Sequence, residues 1–119
     1  MTTYLISFGA RAMDHIPEHE MPAVGRAAHA VCQEAVDAGV LVVAGGLEDR
    51  PAGIVSPDGT VAEGPRPEAI SGITVVDVPT REEALAWAAK LAAACRCAQE
   101  VREIGSDPDL DALTRGSAS

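Results

Sequence analysis

The stretch Ile70 to Ala93, ISGITVVDVPTREEALAWAAKLAA, constrains what this chain can fold into more than any other. Ile73, Thr74, Val75 and Val76 form a β-favouring run, because branched side chains pack well on a pleated surface. Pro79 has no N–H for a sheet ladder, so the strand is expected to end there. Thr80 then stands three residues before Glu83. That spacing predicts a capping box, in which the threonine oxygen accepts from the Glu83 N–H and the Glu83 carboxylate reaches back. Acids at 82 and 83 also suit the positive end of a helix. A strand, a stop and a capped helix therefore follow one another within one short segment.

The rest of the chain reads outward from that joint. Thr3 to Phe8 (TYLISF) predicts the first strand, closed by Gly9. Arg11 to Glu20 is polar and broken by Pro17, so it is expected as a loop or one irregular turn. Pro22 suits a first helical position. Val24, Ala28, Val31, Ala35 and Ala38 follow at helical spacing as the predicted buried stripe. Gly39 fits the left-handed position just past the helix end. Val40 to Ala44 (VLVVA) is a continuous apolar run and predicts a buried strand, with Gly45-Gly46 as a bulge or close backbone approach. Ser56-Pro57-Asp58-Gly59 predicts a type I turn with a bulged exit, joining 53–55 to 60–62 as a small hairpin. Glu63 to Pro67 reads as a rigid loop. Ala98 to Ile104 predicts a final strand centred on Val101, and 105–119 a polar tail with one helical turn near Asp109 to Thr114.

Composition bounds the function classes. The chain has 119 residues, which suits one domain, and its 47% hydrophobic content can supply a core. Tyr4, Phe8 and Trp87 are its aromatic residues, so that core must be aliphatic and modest in area, and a second subunit covering a sheet face would add to it. A net charge of −9 argues against a nucleic-acid partner, which demands a basic surface. No long apolar run predicts a membrane span, and the N-terminus lacks a basic lead into an apolar segment. Three cysteines, two of them in Cys95-Arg96-Cys97, do not make a disulfide framework; buried free thiols in a reducing cytoplasm are expected.

The order strand, helix, strand, hairpin, strand, helix, strand predicts an α+β fold of the ferredoxin-like, split βαβ kind with an extra hairpin. Residues 1–104 would form this domain. Two helices would cover one sheet face and leave the other open for pairing.

The segments TVAEGPRPEAISGITVVD, PTREEALAWAAK and EVREI, with the opening YLISFGA and the helix exit Ala38-Gly39-Val40-Leu41, resemble the YCII-related domain family in its DGPF-type branch. The likeness spans roughly residues 3 to 104, and Glu63-Gly64-Pro65-Arg66 stands where that branch has Asp-Gly-Pro-Phe. The resemblance implies a homodimeric α+β barrel around a small-molecule pocket, without a cofactor. It also implies acid–base chemistry on small ring compounds in some members, and association with an extracytoplasmic-function sigma factor in others. It points to His29, three residues after Arg26, as the acid–base residue, and leaves its acid partner unassigned because AAACRCAQE stands where an Asp-Pro would follow the second helix.

Several residues carry chemistry in their own right. A mid-helix imidazole such as His29 can act as a general base when a carboxylate orients it, or simply sit at a helix edge. Arg26 lies one turn before it. If Val101 faces the helices, Glu100 and Arg102 face the opposite side, where they could bind a polar ligand or pair across a dimer. His15 and His19 could share a metal if helical, yet Pro17 between them disfavours that, and a solvated loop is the reading retained. Gly45-Gly46 has no helix start behind it and so makes no phosphate loop. Trp87 is read as core or interface.

Overall fold

A computed structural model of the chain describes residues 1–48, 50–64 and 69–114. Its main sheet contains β1 (Thr2–Gly9), β2 (Leu41–Gly46), β5 (Ile70–Val78) and β6 (Glu100–Glu103) in the order β2-β5-β1-β6. Every neighbouring pair is antiparallel. β3 (Gly53–Val55) and β4 (Val61–Glu63) make a separate two-stranded hairpin. The helices are α1 (Met21–Asp37), α2 (Arg81–Cys95) and a short α3 (Pro108–Thr114). The fold class is therefore α+β. The sheet is open, with β2 and β6 as its edges, and does not close into a barrel within the chain.

Side-chain alternation decides where the core sits. Tyr4 and Ile6 of β1 pair with Val76 and Thr74 of β5, so these residues point to one face. There Tyr4, Ile6, Val76 and Val78 pack against Val31 of α1 and Ala84, Ala88 and Leu91 of α2. Ile6, Val76 and Val78 lose all exposure, and burying each such side chain is worth about 1.5–3 kcal/mol. Trp87 packs at the margin of this cluster, with the Lys90 ammonium 5.7 Å from its ring centroid. Alanines at 84 and 88 let α2 lie close to the strands. The opposite face carries Leu5, Val43, Ile73 and Val75, and among the described residues the helices pack on the other side, against the core cluster.

The central joint forms largely as its residues dictate. Thr80 is the N-cap of α2 and its hydroxyl accepts from the Glu83 N–H at 3.2 Å. Only half of the capping box forms, because no bond returns from the Glu83 carboxylate to the Thr80 N–H. α1 begins at Met21, one residue before Pro22, and ends in a Schellman motif: Gly39 has φ +74°, its N–H bonds Val36 O and that of Val40 bonds Ala35 O. Ala38 lies past the helix as its cap and is exposed, so the buried stripe stops at Ala35. The hairpin turn closes through Ser56 N–H to Thr60 O and Gly59 N–H to Ser56 O, with Gly59 at φ +87°. Asp58 accepts from the Thr60 N–H and hydroxyl, and these bonds hold its carboxyl below the ordinary range.

Two expectations are corrected. The Val40–Ala44 run is not a buried strand: β2 is an edge, and Val42 and Val43 stay about half exposed, at 53% and 49%. A continuous apolar run fits equally an edge strand whose second face is uncovered. The β2 irregularity falls at Val42, between the Leu41 and Val43 pairings, while Gly45 and Gly46 stay in the ladder opposite Ile73 and Gly72. The close approach lies instead at Gly72, described below. The helical turn expected at Asp109 to Thr114 forms, within a short helix over Pro108–Thr114 that Asp107 caps by accepting from the Leu110 N–H. Pro65 to Glu68, which include half of the Glu63–Arg66 motif, and the last five residues lie outside the described set.

Candidate functional site

On the helix side of the sheet, beside the core, a cleft of about 420 Å³ opens beneath α1. Small residues on both of its walls create it. Gly25, Ala28 and Cys32 recur on one face of α1, and the sheet opposite offers Ala44, Gly45, Gly46 and Gly72. Neither surface carries side chains long enough to bridge the gap. α1 meanwhile leans on α2, where Val31 enters the core and the Lys90 ammonium bonds the Glu34 carboxylate at 2.8 Å. Met13, Met21, Val24, Leu41 and Leu91 give the cleft an apolar rim, and its volume falls in the range of small-molecule sites.

One close packing shapes the floor. Phe8 and Gly72 are cross-strand partners on β1 and β5. A Cβ on Gly72 would meet the Phe8 ring at 2.3 Å, so only glycine lets the ring lie flat across this strand. Phe8 thereby becomes a wall of the cleft rather than a plug in it.

The polar groups of the lining are few. His29, Thr74, Gln99 and the thiols of Cys32 and Cys95 are among them, and among the described residues no Asp, Glu, Lys or Arg lines the cleft. All three cysteines are free. Burial pushes the Cys32 thiol up, and Cys95 is raised by burial first and then by the neighbouring Cys97 and Cys32. Cys97 is also raised by burial, against the opposing effect of its bond from Gln99. These thiols stay protonated near neutral pH, and the imidazole of His29 is the remaining acid–base side chain of the described lining. His29 is exposed at the rim, on α1, and no described carboxylate forms an ion pair or hydrogen bond with it.

The residues proposed from sequence do not gather in one place. His29 lines the cleft. Arg26 lies on the exposed surface of α1 and is not among the lining residues. Val101 pairs with Ile6 on the helix side, so Glu100 and Arg102, opposite Ser7 and Leu5, stand on the other face of the sheet, as the alternation required. They are 3.9 Å apart and both 69% exposed. A single ligand confined to the cleft meets His29 but not this pair. His15 and His19 are exposed, and among the described residues no group of three or more His, Cys, Asp or Glu is placed to hold a metal ion. His19 lies 3.9 Å from the Glu20 carboxylate, which also pairs with Arg96.

Sequence reasoning missed Phe8, Gly72 and Gln99, and it read the cysteines as buried free thiols without placing Cys32 and Cys95 in one cleft. Gly72 did leave a signal, as a lone glycine inside a strand of branched residues. The others left none, because strand pairing and helix placement alone bring them together. A search of known families finds no family model that matches this chain, and no curated protein matches it either. Among the described residues, no helix is long and apolar enough to cross a membrane.

Proposed function

We propose that this protein binds a small, largely apolar organic molecule in the cleft beneath α1. The supporting observation is the lining itself: apolar and small side chains, neutral thiols, and one imidazole at the mouth. His29 is the group that would exchange a proton with the ligand, so cofactor-independent acid–base chemistry of a lyase or isomerase kind is the enzymatic form of this proposal.

The resemblance to YCII-related proteins of the DGPF branch shares with this reading a small organic ligand and His29 as the acid–base residue, but it implies a pocket inside a dimeric barrel, on the sheet face away from this cleft. The strand order, in which each strand–helix–strand unit straddles a strand of the other, suits a ferredoxin-like split βαβ fold. A homodimer would join the uncovered faces bearing Leu5, Val43, Ile73 and Val75 into an α+β barrel, burying surface that water now meets.

A second reading is a non-enzymatic ligand-binding or regulatory protein in the cytoplasm, acting with an extracytoplasmic-function sigma factor. It is favoured by one observation: no described carboxylate orients His29.

The neutral fluorophore N-phenyl-1-naphthylamine tests the site. Wild-type protein should bind it with a blue-shifted emission, and Ala28→Trp, which fills the cleft from α1, should abolish binding with an unchanged circular dichroism spectrum. Equal binding by the folded variant overturns the proposal. Once a ligand is identified, loss of turnover in His29→Ala with binding retained supports the enzymatic form, and ligand binding without turnover by the wild type supports the regulatory one.

A further inference from the structure

A second depression, of about 480 Å³, lies at the same end of the sheet as the cleft. Ser7, Gly9, Ala12, Ile70 and Glu100 line it, and it shares Phe8 and Gln99 with the cleft. The sharing has a structural cause. Phe8 is the last regular position of β1 before the pairing shifts at Gly9, and Gln99 immediately precedes β6. Both therefore stand where the sheet ends and its two faces meet. The Gln99 amide donates to the Cys97 sulfur at 3.6 Å, which holds that side chain across the boundary.

The two linings differ in character. Among the described residues, the cleft is lined by no Asp, Glu, Lys or Arg, whereas the depression is lined by the Glu100 carboxylate. Ser7 is 5% exposed, the one buried polar residue among those described, and its hydroxyl makes no side-chain hydrogen bond to a described residue. The Glu100 contact with Arg102 is loose, at 3.9 Å with both side chains open to water, so the carboxylate can accept from another donor.

Resting on the cleft reading above, we infer that the cleft and the depression form one elongated site, parted by Phe8 and Gln99. It takes a molecule with an apolar body and a cationic, hydrogen-bond-donating end such as a primary ammonium. The body lies beneath α1, and the end passes Gln99 to reach Ser7 and Glu100. Charge selects the end: a carboxylate there would meet Glu100 as a like charge. Length selects the body, because a short molecule occupies the cleft without reaching the acid. The site thus draws on both faces of the sheet around its end, which joins His29 and Glu100 to one ligand although the strands separate them.

Displacement of N-phenyl-1-naphthylamine by decylammonium and by decanoate tests this in the full chain. Decylammonium should displace the fluorophore at a concentration about tenfold lower than decanoate does, since a hydrogen bond to a charged group contributes roughly that factor or more. Glu100→Gln should reduce the preference by about fivefold, the upper end for an exposed charge pair. Glu82→Gln, which removes the same charge on α2 away from both cavities, should leave it unchanged. Equal displacement by the two amphiphiles, or the same reduction in both variants, overturns the elongated site while leaving the cleft intact. No fluorophore binding by the wild type overturns the cleft reading and this inference together.

Discussion

Phe8 lies flat over Gly72, so close that a single added carbon on the glycine would sit 2.3 Å from the ring. Gly72→Ala must therefore move the ring, and the cleft is the space open to it. The expected cost is about 1–2 kcal/mol, in the range of overpacked sites. Gly45→Ala, on the neighbouring strand with nothing within 4 Å of its added carbon, serves as the control and should cost much less. In a double-mutant cycle with Phe8→Ala, the Gly72 penalty should largely vanish. Urea denaturation of the four proteins measures it, and equal penalties with and without the ring would refute the packing argument.

Gly25 stands inside α1, and beyond its chain neighbours and the helix's own backbone no described atom lies within 4 Å of where a Cβ would go. Gly25→Ala should raise stability by about 0.5–1 kcal/mol, because the unfolded glycine loses more freedom on entering a helix. A higher urea midpoint at constant m-value is the expected result. A lower midpoint would mean that α1 sits closer to the sheet than described.

The α2 helix ends on Arg96 in the left-handed conformation, φ 57°, where glycine is the usual residue. Its guanidinium pairs with Glu20. Arg96→Ala removes the pair and keeps the backbone strain, whereas Arg96→Gly removes both. The glycine variant should thus be more stable than the alanine variant by about 1 kcal/mol. Thermal unfolding of the two variants side by side decides it.

At the other end of α2, Thr80 satisfies the Glu83 N–H while the Glu83 carboxylate returns no bond. Thr80→Ala should cost about 1 kcal/mol. Glu83→Gln should cost no more than about 0.5 kcal/mol, since it forfeits only the interaction with the helix dipole. Comparable losses at both positions would show that the reciprocal bond forms in solution.

The three raised thiols set a pH dependence. Folding favours the protonated form, so the folded chain holds more protons than the unfolded one once the unfolded thiols begin to ionise. Their contribution is complete below the ordinary thiol pKa and declines as pH rises from about 9 through the higher folded values. Urea midpoints should fall across that window and fall less in a Cys32→Ser, Cys95→Ser, Cys97→Ser variant. Native protein should also react slowly with a disulfide reagent near pH 7.5, and Cys95, the most buried, slowest.

How much of this was legible beforehand depended on the range of the interaction involved. The α2 cap, the Gly39 exit and the Ser56–Gly59 turn were readable because each is satisfied within a few residues of itself. Alternation alone put Val101 and Glu100 on opposite faces of β6, and the register agrees. The apolar run at Val40–Ala44 misled, because hydrophobicity says that a strand has two apolar sides and not whether both are covered.

The chain by itself determined its elements, their order and most of their ends, since propensity, proline, capping and turn chemistry act locally. Tertiary structure alone decided the site. It placed β2 at an edge, leaned α1 on α2 so that small residues face small residues across a gap, and brought Phe8 and Gln99 to the boundary between the cleft and the depression. Those outcomes depend on which strands pair and how far a helix stands from them, distances that no stretch of sequence encodes by itself.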